Sequence, residues 1–372
     1  MSTKRSPVQG AQRGLTLIEL MVSIAIGLVV VGSVSYVYLG SKGAYRGNES
    51  VARIQEAGRF ALDAITRDIR RAGALGCGSV TSITNQPVTP AVFVPSGVPS
   101  DPTVLTVDAG GNPVPIFGFA PAQYAPAAQP SGWVLPSNGA RPRKTPITAP
   151  AYWAGDILQV QIASGQPARM SGVIDAANAN VTITLPNSAA LDFNPNDYAL
   201  LADCSSAAVF QVTGTLPGTP ATLSYKPSSG PIPALPASIT LNTYPTVQHF
   251  DQVTYYVGQV PGSTATALYR YSMSSDTVEE VVGNVEDMDV MYGIDTIPTD
   301  TVFAADTYVH APVPDWTQVV SVRVTLTAVG DQLGVAPAAQ TFSIHGTVPA
   351  PAPDTRLRQV FSATAALRDR LQ

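Results

Sequence analysis

The sequence predicts an α+β protein: one long N-terminal α-helix packed on an antiparallel β-sheet head with long Pro/Gly/Ala-rich loops. Three observations predict it. Residues 15–39 are uncharged apart from one glutamate and largely apolar, residues 41–71 carry an amphipathic stripe, and beyond residue 80 short alternating runs replace the helical period. Of the 372 residues, 45% are hydrophobic and only 13% charged, with 30 Gly and 33 Pro. A sizeable core is available, and a disordered polyelectrolyte, a cysteine-rich scaffold and a multi-span transporter are excluded. The net charge of −5 gives no global field for nucleic acid. The balance is uneven, because residues 1–71 are net +5 and the remainder net −10.

Residues 1–14 hold Lys4, Arg5 and Arg13 and no acid. The run from Leu15 to Leu39 has Glu19 as its sole charge. As a helix it would span about 37 Å, enough to cross a hydrocarbon layer of about 30 Å. The preceding cations place the N-terminus in the cytoplasm, and Lys42 and Arg46 beyond the span weaken that bias without reversing it. A cleavable secretory signal has a shorter apolar stretch and a small-residue cleavage site, which this segment lacks. A simple signal anchor fits the length but leaves Glu19 unexplained. A carboxylate in the bilayer costs about 2.5–3.5 kcal/mol, so an intramembrane acid reads as functional.

From Ser41 to Arg71 there is no proline, and Val51, Ile54, Gly58, Ala61, Ile65, Ile69 and Ala72 recur at helical spacing. Glu49–Arg53 and Asp63–Arg67 stand four apart, adding tenths of a kcal/mol each. The stripe predicts a face packed on the chain's own head, ending near Gly73 and Gly76. In the head, strands are expected at 158–162, 181–185, 208–213, 238–244, 253–260, 267–273, 322–326 and 341–345. The stretches 86–102, 112–155, 216–237 and 346–354 read as loops. The resulting divisions are a leader over 1–14, a membrane or fibre-core helix over 15–39, an amphipathic half over 40–75, and a head over 76–372 with insertions near 86–155 and 214–237.

The stretch RGLTLIEL (13–20) resembles the processing motif of type IV prepilins. That resemblance implies a cut between Gly14 and Leu15, N-methylation of Leu15, and an assembly role for Glu19, the fifth residue after the cut. Leu15 stands where the family usually has Phe. Glu19 would pair with the amine of a neighbouring subunit, favouring one axial stagger in an apolar fibre core. The segments RDIRRAGALGCG (67–78), DCSSAAVFQVT (203–213), VEEVVGNVEDMDVMYGID (278–295), WTQVVSVRVTLTA (316–328) and LRQVFSATAALRDR (357–370) are similar to PilW-type minor pilins, and more distantly to J-type pseudopilins of type II secretion.

The resemblance implies a structural fibre component that takes part in type IV pilus assembly and initiation near the tip. Its precursor would sit in the inner membrane, crossing once, with the head periplasmic until it joins an extracellular pilus. The implied partners are other minor and major pilins, a prepilin peptidase, the inner-membrane assembly platform and, before assembly, membrane lipid. A secretion pseudopilin and a tip adhesin or DNA-binding pilin are the alternatives. Cys77 and Cys204 would both face an oxidising compartment, where an even pair favours a disulfide.

No enzyme is expected. His249, His310 and His345 are scattered, and closeness of His249, Asp251 and Thr254 in sequence does not make a triad. Asp287, Asp289, Asp295 and Asp300 lack EF-hand spacing, so no metal or other cofactor is implied. ARPRKT (140–145) is a small basic spot that reads as a solvated loop, and a nucleic-acid partner is not expected. Trp133, Trp153 and Trp316 read as packing residues.

Overall fold

The computed structural model describes residues 16–75, 78–79, 116–119, 152–175, 180–184, 193–194, 197–202, 207–216, 221–225, 245–272, 275, 277–297, 304–311, 313, 315–342, 350–352 and 354–367. Helix α1 runs from Leu17 to Arg71, 55 residues, or about 80 Å at the α-helical rise. Arg70 and Arg71 lie in its last turn, where cations suit the exposed carbonyls. Gly73 then takes φ +75°, and its N–H donates to the Gln161 carbonyl at 3.1 Å, so the chain passes from the helix directly onto the sheet. Ala72 bridges Ile162 at the same point.

The strands in chain order are β1 (Ala74–Leu75), β2 (Gly78–Ser79), β3 (Ile116–Phe119), β4 (Tyr152–Asp175), β5 (Asn180–Thr184), β6 (Tyr198–Ala202), β7 (Ala207–Leu216) and β8 (Ala221–Tyr225). They continue with β9 (Thr246–Gln259), β10 (Thr266–Ser272), β11 (Thr277–Gly283), β12 (Val285–Ile294), β13 (Thr307–Val309), β14 (Val319–Val329), β15 (Thr341–Phe342), β16 (Ala350–Pro351) and β17 (Arg358–Ala366). All described pairings are antiparallel. The larger sheet has the order β11-β10-β9-β6-β7-β8-β5-β4-β3, and a second has the order β13-β12-β14-β17.

Strand β4 also pairs with β9, which closes the ring β4–β5–β8–β7–β6–β9 into a small barrel. The residues from Ala168 onward in β4 and up to His249 in β9 belong to it; the other halves of both strands remain in the open part of the sheet. Closure removes free edges and creates an interior. Val181, Ala199, Leu201, Phe210, Val212 and Leu223 fill it and are all fully buried.

The principal core is a separate one with three walls. Ala61, Ile65 and Ile69 come from α1, Leu158, Val160 and Val253 from the open part of the larger sheet, and Met288, Val290, Val322 and Val324 from the second sheet. The sheets touch closely: the Val290 N–H donates to Asp156 Oδ2 at 2.7 Å, and Asp156 is buried. Gly155 is required there, since it has φ +84° and a Cβ on it would collide with the Met288 backbone.

The helix stripe behaves as its spacing predicts: Ile54, Gly58, Ala61, Ile65, Ile69 and Ala72 are buried and Val51 is half-buried. The expected strands at 158–162, 208–213 and 322–326 fall within observed ones, which run longer, and those at 181–185, 253–260 and 267–273 match β5, β9 and β10 to within one residue at their C-terminal ends. Two stretches expected to be loops depart from that reading. Residues 112–155 contain β3 and the start of β4, and 216–237 contain β8, which supplies Leu223 and Tyr225 to the barrel interior. Ala-Thr-Leu-Ser-Tyr does alternate, but five residues flanked by Pro and Gly carry little periodic signal. Residues 346–354, also expected to be loop, include the two-residue β16. The strand expected at 238–244 lies outside the described residues, and of 341–345 only Thr341–Phe342 is described as strand.

Candidate functional site

Thr16 is the N-cap of α1. The Glu19 N–H donates to Thr16 Oγ1 at 3.3 Å, while the Thr16 N–H and hydroxyl donate to Glu19 Oε2 at 3.5 and 3.4 Å. This is a capping box, and its signature, Thr16-x-x-Glu19, is plain in the sequence although the apolar run draws the eye past it. Glu19 therefore satisfies the first turn of its own helix and is exposed. Gly14 and Leu15 lie outside the described residues.

From Leu17 to Leu39 every residue is exposed; Leu17, Ile18, Leu28, Val29 and Val37 each show more than 60% of their surface. An apolar helix bare on all sides has no partner among the described residues and suits lipid or a bundle of similar helices. Two of its three serines, Ser23, Ser33 and Ser35, bond back onto the helix. Ser23 donates to the Glu19 carbonyl at 2.7 Å and Ser33 to the Val29 carbonyl at 2.8 Å, so neither hydroxyl needs water.

The other half of the helix is locked to the head. The Tyr255 hydroxyl donates to Asp68 Oδ2 at 2.7 Å, and Arg270 Nε donates to the same oxygen at 3.3 Å. Burial, then the neighbouring Asp68 charge, pushes the Tyr255 phenol well above its usual range, so it stays a donor. Arg71 reaches the Ala163 carbonyl at 2.8 Å. Gly58 faces the Phe361 ring so closely that a Cβ would collide with it. A cleft of about 430 Å³ opens where helix and head diverge, lined in part by Glu49, Arg53, Phe60, Asn284 and Asp331. Arg53 bridges Glu49 at 2.7 Å and Asp331 at 3.2 Å across it.

The remaining candidate residues are engaged in separate contacts. His249 stacks on Phe193 with ring centroids 3.9 Å apart, and Asp251 accepts from the Ser272 hydroxyl at 2.7 Å. His310 and Asp289 pair at 2.8 Å, Asp287 accepts from the Met288 N–H and Asp295 from the Ile297 N–H. Among the described residues no group of three or more His, Cys, Asp or Glu is arranged to hold a metal. Trp316 is buried, edge-on to Tyr292. Cys77, Cys204, Trp133, Asp300, His345 and 140–145 lie outside the described residues, as does the side chain of Trp153.

Two family models match. One, the prokaryotic N-terminal methylation motif, covers residues 10–35, which take in most of the bare Leu17–Leu39 helix. The other, type IV pilus-assembly protein W, covers residues 254–369, from the middle of β9 to just past β17. Together the two matches support a PilW-like type IV minor pilin. The PilW match takes in the second sheet and the β9–β11 edge of the first, the surfaces that hold the helix. It begins after the barrel, so the barrel staves β5 to β8 fall outside it. No curated protein matches the chain. A type IV-like pilin from Thermus thermophilus, TTHA1219, is similar at 15% identity over 47% of this chain and 84% of its own, with a TM-score of 0.21, too low to support an argument. The pilin family is a structural one, and type IV pilus assembly is the process in which this PilW-like chain takes part.

Proposed function

We propose that the chain is made as an inner-membrane precursor, N-terminus inside, and that a prepilin peptidase cuts it between Gly14 and Leu15 and methylates Leu15. The observation that carries this reading is a helix bare and apolar from Leu17 to Leu39 with one acid, Glu19, in its first turn. The cut removes the leader cations and leaves an ammonium on Leu15. In the bundle Glu19 exchanges its bonds to Thr16 for the amine of an adjacent subunit, which gives an otherwise costly carboxylate a counter-charge. A Cβ added at Gly27 or Gly32 would meet nothing within 4 Å among the described residues, so both leave backbone that another helix can approach closely. The proposed partners are other pilins, the peptidase and the membrane assembly platform, and the proposed place is a low-abundance complex that starts the fibre at its tip. Cys77 and Cys204 are proposed to form a disulfide joining the end of α1 to the β6–β7 connection.

Mass spectrometry of sheared fibres tests the reading. N-methyl-Leu15 is expected as the first residue, with the Cys77 and Cys204 peptides joined before reduction. Glu19→Ala is expected to insert in the membrane normally and to enter fibres poorly. An intact Met1 terminus in fibres, or normal entry of the variant, overturns the processing and pairing steps respectively.

A further inference from the structure

We propose that the outer edge of β17 docks an extended strand from a different pilin, which adds a fifth strand to the β13-β12-β14-β17 sheet. The inference rests on the minor-pilin reading above and names the surface by which the head meets its neighbour.

Open sheet edges are aggregation hazards that proteins normally blunt with short strands, charges or bulges. Three described edges follow that rule. Strand β13 has 3 residues and β3 has 4. Strand β11 exposes Glu279 and Glu280 and pairs with β10 through a register shift. Strand β17 does not follow it. It is 9 residues long, pairs with β14 without a register shift, and has no charge from Gln359 to Ala366. Arg358, its one ionic side chain, is buried against Glu286 at 2.6 Å and Asp354 at 2.7 Å.

Two bonds fix which backbone groups point outward. The Leu367 N–H donates to the Val320 carbonyl at 2.9 Å, and the Leu357 carbonyl accepts from the Gly330 N–H at 2.7 Å. Odd-numbered residues therefore face β14, and even-numbered ones face away. At the first even position the outward groups are already filled by a side chain imitating a strand: the Arg358 N–H donates to Gln340 Oε1 at 2.6 Å, and Gln340 Nε2 donates to the Arg358 carbonyl at 3.3 Å. Beyond that rung Val360, Ser362, Thr364 and Ala366 turn their N–H and C=O outward, and all are exposed. Among the described residues no strand pairs with this edge. A row of alternating donors and acceptors is complementary to one kind of occupant, an extended backbone.

The direction of the edge selects the occupant further. Gly330, bonded to Leu357, lies against Ser50, and Phe361 lies against Gly58. Ser50 to Gly58 climbs about 12 Å of helix and Leu357 to Phe361 about 13 Å of strand, so β17 runs alongside α1 in the same direction. Two copies joined by antiparallel β17 pairing would point their membrane helices in opposite directions, which one bilayer or bundle forbids. Pairing β17 to another edge of a second copy would need a second long uncharged edge, and β3, β11 and β13 are not that. Parallel β17–β17 pairing would keep the helices parallel, but the outward even-numbered residues of one strand must then sit opposite odd-numbered ones of the other, so two identical copies pair only out of step; a different pilin, with its own helix parallel to α1, is free of that constraint.

The test is a photocrosslinking amino acid at Thr364, with Glu279 as the comparator site, in whole cells expressing the full chain. The expected adduct at 364 joins an extended segment of another chain that carries its own N-terminal methylation segment, with none from 279. Ser362→Pro removes one outward donor and leaves the β14 ladder whole; it should cut that adduct about tenfold while the melting temperature holds. If Ser362→Pro misfolds, Thr364→Lys, crosslinked from Ser362, takes its place. No adduct at 364, an adduct to a second copy or to a non-pilin, or an adduct untouched by the folded edge variant overturns the proposal. The crosslink is read in membranes as well as fibres, so absence of the wild-type chain from sheared fibres counts against the minor-pilin reading alone.

Discussion

The two halves of α1 share one backbone and obey opposite rules. From Leu17 to Leu39 the helix is bare on every side and, Glu19 apart, uncharged; from Lys42 charges return, and from Ser50 a single buried stripe meets the head. The lower half packs on none of the described residues, so its stability is assigned to lipid or to other subunits. The upper half is part of the principal core, with Ile65 and Ile69 wholly buried, and cannot leave the head without opening it. The difference teaches that one helix serves as a tether in one half and as a structural wall in the other, and that substitutions in the two halves should be read by different assays.

The sharpest test of that contrast is a pair of truncations. Ile65→Ala should cost the head about 2–5 kcal/mol, while Val30→Ala, removing a similar side chain from the bare half, should leave head melting unchanged. Thermal unfolding of the full chain in detergent measures both. Equal effects would erase the division. A smaller effect is expected from Asp68→Ala, which deprives the Tyr255 hydroxyl and Arg270 of their shared acceptor; a loss of about 1–3 kcal/mol should appear in the same melt. If the lock is what fixes the upper half, protease sites near Ala64 should open in this variant before the barrel does.

The mildest effect concerns pH. Hydrogen bonding from Arg358 holds the Asp354 carboxyl well below the usual carboxylate range. A depressed folded value means that its contribution is present above the unfolded value of about 4 and is lost as pH falls through the folded one. Melting temperature should therefore drop as pH is lowered from about 4, and Asp354→Asn should flatten that part of the profile. Because Asp354 braces Arg358 at the foot of β17, this loss belongs to the head and leaves the bare half of α1 unaffected.

Much of this division is legible in the residues. The spacing of Ile54, Ala61, Ile65 and Ile69 is a local pattern, and so is the uncharged run that isolates Glu19. The Thr16–Glu19 capping box is equally local, but length and hydropathy dominate that segment and mask it. The barrel is not legible. Its closure depends on β4 pairing with β9 through Ala168↔Val247 and Arg169↔Thr246, residues far apart in the chain, and on β8 emerging from a stretch rich in Pro and Gly, and neither leaves a periodic trace. The edge of β17 is hidden for a related reason: alternation identifies a strand, but only sheet order shows which strand has a neighbour on one side alone.

By itself, then, the sequence determined the helix, its two characters and the position of the single acid, because these follow from side-chain chemistry repeated at the helical period over adjacent residues. Tertiary structure decided the second core, the lock at Asp68 and the open edge beyond Gln340, because each is made by residues far apart in the chain whose pairing is set by packing and register. Helical order is written locally; the order of strands in a sheet is not.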